Sequence, residues 1–420
     1  MTETPEAKSK SDERYERYFG ASHVKKDLRG RSVRGGVTTL GTQALVVAIG
    51  LLGTAVLARL LTPRDFGLVA MVGAVRELMR VFTEMGLPAA IVQRAQINHA
   101  QISTLFWINQ SLGVGFGILL AVLAAPVAWF YGDARLEAIT IVIAFGIPLG
   151  VAGAQHLALL RRQMRFGALA ATRVAAAATS TAVAIVLAFA GFNYWALVAM
   201  QLSRSSVMSA GAWWLCDWRP GRPARGSGIG QMLRFGGNLT GVRLTNFVRR
   251  NLDKILIGKF VDASTLGLYT KAANVLQMPM RNFNVPLSAV AVPALSRLAD
   301  EPQRYRSFYR KSVQFPMLVG LPIVAFAFLA TQELVLIVLG SQWTGAVPLF
   351  RALLPAALIA TTSVTTTWVF VSLGHTGRHL RNALLVNTLT VIGISVGLAW
   401  GALGVALAIS VVQCAVRIPS

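Results

Sequence analysis

The chain has 420 residues, of which 54% are hydrophobic and 14% are charged. An ordinary soluble domain carries roughly 25% charged residues, so this composition excludes a soluble globule and predicts a membrane protein. The net charge of +23 would suggest a nucleic-acid partner in a soluble protein. Here the basic residues alternate with long apolar stretches, which excludes nucleic acid.

The N-terminal segment, residues 1–35, contains nine basic and six acidic residues and few aliphatic ones. This composition is typical of a solvated tail. The apolar stretch that follows, residues 37–61, is too long for the apolar region of a signal peptide. We therefore expect it to remain in the protein as the first membrane span.

Apolar stretches continue almost back to back to the C-terminus. Because a helical span needs about 20 apolar residues, the pattern predicts twelve spans. The last is shorter than the others and is predicted as a marginal or incomplete span. The predicted spans cover residues 37–61, 66–93, 105–131, 136–160, 166–190, 193–216, 230–258, 266–295, 309–339, 345–373, 380–400 and 402–416.

Lys and Arg are distributed unequally between the loops. One set of alternate loops holds 15 of them and the opposite set holds 4. Cytoplasmic loops retain positive charge, so the tail and the basic loops are predicted to be cytoplasmic. Eight tryptophans lie near predicted span ends, where the headgroup layer favours their rings: Trp107, Trp129, Trp195, Trp213, Trp214, Trp218, Trp343 and Trp400.

The two halves of the chain share short patterns. The segment that opens the second span, residues 59–68, matches residues 259–268, which open the eighth. Both repeats start on the same side of the membrane, which predicts parallel units of six helices each. Looser matches pair glycines of the two halves: Gly132 with Gly340, and Gly191 with Gly401.

Charged side chains inside the spans are the main functional signal, because charge at mid-bilayer is costly unless it faces a bundle interior or a wet cavity. Span seven places its polar residues within an arc of about 140°, with a surplus of positive charge that suits an anion. Span two carries two basic and two acidic residues, for which a structural ion-pair ladder is as good an interpretation as a functional one. The two sets are Arg243, Asn246, Arg249, Arg250, Asp253 and Lys254, and Arg76, Glu77, Arg80 and Glu84.

Three segments, residues 58–71, 84–94 and 250–258, resemble the polysaccharide flippases of the multidrug/oligosaccharidyl-lipid/polysaccharide exporter superfamily. The resemblance implies an all-α membrane protein with two six-helix lobes around a central cavity. It also implies flipping of polyprenyl-diphosphate-linked oligosaccharide repeat units across the bacterial plasma membrane, for exopolysaccharide, O-antigen or capsule. The lobes are predicted over residues 36–216 and 230–420, with a cytoplasmic linker over 217–229.

Guanidinium and ammonium groups bind diphosphate through charge-assisted hydrogen bonds. The predicted diphosphate contacts are Arg243, Arg250, Lys254, Arg80 and Arg281. Glu77, Glu84 and Asp253 are candidates either for proton or sodium coupling or for structural pairing.

No cofactor, metal site or enzymatic activity is predicted. The expected partners are the lipid-linked oligosaccharide, membrane lipids and polysaccharide polymerase machinery. Three alternatives remain: a lipid-II or drug exporter of the same superfamily, a polytopic membrane glycosyltransferase or polymerase, and a non-transporting scaffold.

Overall fold

A computed structural model describes residues 28–83, 91, 97–224, 230–373 and 376–417. Apart from two single 3₁₀ turns and short connections, the described residues are α-helical. In chain order the helices are α1 (Leu28–Leu60), α2 (Pro63–Thr83), α3 (His99–Val122), α4 (Ala124–Tyr131), α5 (Arg135–Ala144), α6 (Gly146–Ala152), α7 (Ala154–Arg162), α8 (Phe166–Phe189), α9 (Tyr194–Leu215), α10 (Gly230–Phe260), α11 (Ala263–Arg297), α12 (Pro302–Leu329), α13 (Thr331–Val338), α14 (Ala346–Ser372), α15 (Thr376–Gly397) and α16 (Gly401–Arg417).

Three of the predicted spans are interrupted helices. The third span is α3 followed by α4, the fourth is α5 to α7, and the ninth is α12 followed by α13. Counted in this way, the described helices form twelve segments, one for each predicted span. The largest differences in bounds are at α1 and α12, which start nine and seven residues before the predicted spans, and at α2, whose described part ends ten residues before the predicted end.

Proline accounts for two of the interruptions. A proline ring clashes with the carbonyl group four residues earlier and has no N–H to donate. Pro126 lies four residues after Val122, where α3 ends, and Pro148 lies four residues after Ala144, where α5 ends. The ninth span bends by 82° between Gly320–Leu329 and Thr331–Val338.

Five helical stretches of the described residues are long and apolar enough to cross a membrane, and the bent pair makes a sixth. The helices with several charged residues, such as α2 and α10, do not meet that test. The five stretches are Gly35–Leu60, His99–Val122, Arg135–Arg162, Phe166–Phe189 and Arg381–Val416.

The two helices that open the repeated segments begin with the same kind of cap. Before α2, the Thr62 N–H donates to Asp65 Oδ2 over 2.9 Å and the Asp65 N–H donates to Thr62 Oγ1 over 3.3 Å. This reciprocal arrangement is a capping box, with Pro63 at the first helical position. Before α11, Asp262 Oδ1 accepts a hydrogen bond from the Thr265 N–H over 2.9 Å. Each cap satisfies backbone donors at the start of its helix.

The chain divides into two compact units. The first unit comprises Met1–Leu57 and Val72–Phe247, and the second comprises Ala58–Met71 and Val248–Ser420. Buried clusters hold each unit together. One in the first unit centres on Phe106, Leu159 and Trp218, and one in the second on Ala58, Val335 and Trp343.

The first helix and two of the tryptophans differ from the sequence-based expectations. The described part of α1, Leu28–Leu60, includes the last eight residues of the predicted tail, because a helix extends past an apolar stretch where its backbone hydrogen bonds continue. Trp218 and Trp343 are buried rather than facing the headgroup layer. Their indole N–H groups donate within the protein, to His99 Nδ1 and the Ala58 carbonyl, which satisfies them without water. Trp129 is 85% exposed, in keeping with a headgroup position.

Candidate functional site

Helix α10 carries the predicted basic face, and Asp253 is its only acidic residue. Asp253 is buried, with 9% of its surface exposed, whereas Arg250 is exposed and Arg243 and Lys254 are partly exposed. The accessible part of this face therefore carries positive charge without a matching acid from the same helix.

Tyr269 of α11 explains why Asp253 is buried. The Tyr269 hydroxyl donates a hydrogen bond to Asp253 Oδ2 over 2.6 Å, a length typical of a charge-assisted bond. Both residues belong to the second unit, so this bond fixes α10 against α11 within it. Asp253 Oδ1 has no hydrogen-bond partner among the described residues. The sequence offered Asp253 for ion coupling or structural pairing, but it did not identify Tyr269 as a partner.

Lys254 is held by its own helix. Its ammonium group donates a hydrogen bond to Asn251 Oδ1 over 3.1 Å. An ammonium group has three donors, so two remain available to a ligand. Arg250 and Lys254 are thus cationic groups of the second unit that a ligand can contact, and Arg243 lies two turns earlier on α10, about 10 Å along the helix axis.

Helix α2 carries another predicted contact residue, Arg80, which belongs to the first unit. Arg80 Nη2 and Glu77 Oε1 form an ion pair at 2.8 Å, with 54% and 34% of the two side chains exposed. Because this pair lies within one helix, it does not decide between the structural and the functional interpretation of span two. An exposed pair one turn apart on a helix contributes only a few tenths of a kcal/mol, up to about 0.5.

Arg76, one turn before Arg80, is partly exposed, but its Nε atom is buried. Its Nε atom has no hydrogen-bond partner among the described residues. Its charge interacts with that of Glu77 and also with that of Arg204, which lies in the middle of α9. The charge of Arg76 therefore interacts with one carboxylate and with two other guanidinium groups, those of Arg80 and Arg204. The sequence showed both Arg76 and Arg204 inside apolar stretches, but it could not show that they approach each other.

Lys271 of α11 has a structural environment. Its ammonium nitrogen lies 3.9 Å from the centroid of the Phe66 ring, a cation–π contact within the second unit. This contact accounts for a lysine inside a predicted span without any ligand.

The remaining predicted site residues lie outside what the structure describes. Glu84 follows the last described residue of α2, and Arg281 lies in α11 at a position whose side chain is not described. Arg80, Glu77 and Arg243 belong to the first unit, whereas Arg250, Asp253 and Lys254 belong to the second. Among the described residues there is no group of three or more His, Cys, Asp and Glu that could hold a metal ion.

Residues 217–224 of the predicted linker pack within the first unit. His156 stacks on Trp213 with ring centroids 4.4 Å apart, and its Nε2 lies 3.2 Å from the Trp218 carbonyl oxygen. Trp107 Nε1 donates to the Gly221 carbonyl over 2.8 Å. His156 is fully buried, so its position corresponds to a packing role rather than to a proton relay.

Residues 56–348, more than half of the chain, match the family described as "Polysaccharide biosynthesis protein". The lipopolysaccharide biosynthesis protein WzxC of Escherichia coli (strain K12) is 24% identical over 79% of this chain and 68% of its own length. The teichuronic acid biosynthesis protein TuaB of Bacillus subtilis (strain 168) is 28% identical over 65% of this chain and 57% of its length. The succinoglycan biosynthesis transport protein ExoT of Rhizobium meliloti (strain 1021) is 24% identical, over 77% and 64%. The chain thus spans roughly three fifths to two thirds of the length of these relatives.

Two solved structures show the fold. The lipid II flippase MurJ, in an inward closed conformation, has a TM-score of 0.74 at 13% identity and covers 92% of this chain and 86% of its own. An inward-facing multidrug resistance MATE family transporter of the MOP superfamily has a TM-score of 0.62 at 15% identity, with 91% and 92% covered. The predicted fold class, an all-α membrane protein with two-lobe transporter architecture, is therefore confirmed. The chain belongs to the polysaccharide biosynthesis protein family matched by residues 56–348.

Proposed function

We propose that this chain flips polyprenyl-diphosphate-linked oligosaccharide repeat units across the bacterial plasma membrane for polysaccharide biosynthesis, by alternating access. The observation that carries the proposal is the basic face of α10. The single acidic residue of this helix, Asp253, is buried and accepts a hydrogen bond from Tyr269. An exposed guanidinium group within a predicted span is expensive unless it faces water or an anion. A diphosphate supplies that anion.

The family and the names of the relatives support this choice of substrate. WzxC and TuaB are named for the biosynthesis of lipopolysaccharide and teichuronic acid, and ExoT is named a transport protein for succinoglycan. The fold of flippases and exporters supports transport over catalysis, so we assign no enzymatic activity. We infer that Arg250, Lys254, Arg243, Arg80 and Arg281 contact the diphosphate, and that the N-terminus is cytoplasmic.

Arg76 and Arg204 extend this set. Each lies near the middle of a predicted span, and their charges interact within the first unit. A guanidinium group offers five N–H donors in a planar fork that fits phosphate. We therefore add both to the groups that meet the substrate in the first unit.

Of the three acidic residues that could couple transport to an ion, the two that the structure describes have partners, which supports structural pairing over ion coupling. Glu77 pairs with Arg80 and Asp253 accepts from Tyr269. Glu84 is still a candidate for proton or sodium coupling. Transport that continues unchanged after both the proton and the sodium gradients are collapsed would rule out coupling by any of the three.

Lipid II is the second candidate substrate, favoured by the fold shared with a lipid II flippase. A drug cation is disfavoured, because the exposed part of α10 is basic. The two lipid-linked candidates are separated by offering each to the same reconstituted protein. We expect repeat units of an extracellular polysaccharide to move faster than lipid II.

The decisive experiment is a flipping assay in proteoliposomes with a fluorescent polyprenyl-diphosphate oligosaccharide. Arg250→Ala should lower the rate by about ten- to a hundredfold, the loss expected for one charge-assisted hydrogen bond. Arg304→Ala is the matched control, because Arg304 is exposed and paired with Glu301 at 2.7 Å, and it should leave the rate unchanged. A wild-type rate for Arg250→Ala would contradict the proposed site.

A further inference from the structure

A cleft of about 130 Å³ lies in the first unit where α1, α7 and α8 meet. Its lining includes Arg161, at the end of α7, and Arg173, two turns into α8. Both are cationic, and none of the described residues that line the cleft is acidic. The volume is that of about four water molecules, which is enough for one phosphate group.

The rest of the lining is apolar or already hydrogen-bonded. Phe166 and Leu169 form one wall on α8. On α1 the hydroxyls of Thr39 and Thr42 donate to the carbonyl oxygens four residues earlier, over 2.7 and 2.6 Å. The two guanidinium groups are therefore the donors that a ligand would meet, and each has five N–H groups to share among its partners.

We propose that this cleft binds the phosphate of an anionic membrane phospholipid, with an acyl chain along the apolar wall of α8. A basic pocket between membrane helices, with apolar surface beside it, fits a charged headgroup joined to a hydrocarbon chain. The loop that joins α7 to α8 belongs to the set that the charge distribution predicts to be cytoplasmic, where anionic lipids attract basic groups. The site is separate from the proposed substrate contacts and does not depend on which substrate is flipped.

The test is native mass spectrometry of the full purified chain in detergent, with phosphatidylglycerol or with phosphatidylcholine of the same acyl chains. The wild type should retain phosphatidylglycerol in preference to phosphatidylcholine. Arg161→Gln and Arg173→Gln should each weaken retention of phosphatidylglycerol about fivefold, the effect of one basic group near a lipid surface. Inorganic phosphate should not displace the lipid, because it lacks the chain that contacts the apolar wall.

Arg165→Gln is the matched control, since Arg165 lies in the same loop, is exposed and does not line the cleft. Arg173→Lys keeps the charge and should lose less binding than Arg173→Gln. Equal retention of the two lipids by the wild type would overturn the proposal. So would equal losses in the Arg161→Gln, Arg173→Gln and Arg165→Gln variants, or complete displacement by phosphate. If Arg173→Gln does not fold, the exposed Arg161 alone decides the outcome.

Discussion

On α10, an acidic residue, Asp253, is buried while a basic residue, Arg250, is accessible. Asp253 is buried and bound by Tyr269, whereas Arg250, three residues before it, is exposed. A carboxylate in a dry contact is stable only with hydrogen-bond donors. The charge available on α10 is thus decided by a tyrosine on the next helix.

Removing the Tyr269 hydroxyl tests this bond. Tyr269→Phe leaves the buried Asp253 carboxylate without its donor and should lower the free energy of unfolding by about 1.5–3 kcal/mol. Tyr305→Phe is the control, because the Tyr305 hydroxyl lies 2.7 Å from the neutral Ser372 Oγ, and its loss should cost only about 0.5–1.5 kcal/mol. Unfolding of both variants would be measured in detergent by the same titration. Equal losses would mean that the charge of Asp253 contributes nothing.

At the scale of the elements, the repeat identified in the sequence is also visible in the backbone, as glycines of positive φ at matched positions. The four glycines with positive φ among the described residues are the two pairs matched by sequence: Gly132 at 74° with Gly340 at 103°, and Gly191 at 82° with Gly401 at 68°. A left-handed backbone suits glycine because it has no Cβ. The repeats therefore share glycines of positive φ at matched positions, although ψ differs within the first pair, 27° at Gly132 and 171° at Gly340.

The glycine pair that opens the repeats meets directly in the second unit. A Cβ on Gly67 would collide with the backbone oxygen of Ala263, and one on Gly267 would collide with the backbone oxygen of Pro63. The first turns of α2 and α11 therefore cross with their backbones in contact. Only glycine allows this approach from both sides.

This crossing predicts opposite effects for two glycines of α2. Gly67→Ala should lower the free energy of unfolding by about 1–3 kcal/mol, because a methyl group must displace a backbone carbonyl. Gly73→Ala should raise it by up to about 1 kcal/mol, since nothing lies within 4 Å of that position and alanine favours a helix. Thermal unfolding in detergent would measure both. A stabilised Gly67→Ala variant would contradict the close crossing.

At the scale of the whole molecule, the distribution of Lys and Arg predicts which loops face the cytoplasm. The contacts within the second unit bring together loop ends that this prediction assigns to the outer side. Arg59 Nη2 donates to the Ile337 carbonyl over 2.8 Å, and Trp343 Nε1 donates to the Ala58 carbonyl over 2.7 Å. This grouping supports the alternation of loops, whereas their side of the membrane remains a prediction.

Cysteine labelling tests the orientation. In a variant that lacks Cys216 and Cys414, Ser341→Cys should react with a membrane-impermeant maleimide added to intact cells, because its loop is predicted to be outside. Ser307→Cys should react only after the cells are opened. Both serines are exposed in the structure, so burial cannot explain a difference. Labelling of Ser307→Cys alone in intact cells would reverse the predicted orientation.

The sequence by itself determined the twelve helical segments, the fold class and the repeat. The length of an apolar stretch and the positions of proline and glycine are local features of the sequence. They predict helices without knowledge of which helices pack together. The basic character of α10 could likewise be predicted from its own residues.

Only the tertiary structure decided which side chains meet. Tyr269 beside Asp253, Arg204 near Arg76 and the burial of Trp218 each depend on how helices distant in sequence pack together. Helical periodicity fixes which residues share a face, but not which face of another helix opposes it. For that reason the charged groups of the site could be named from the sequence, while their partners could not.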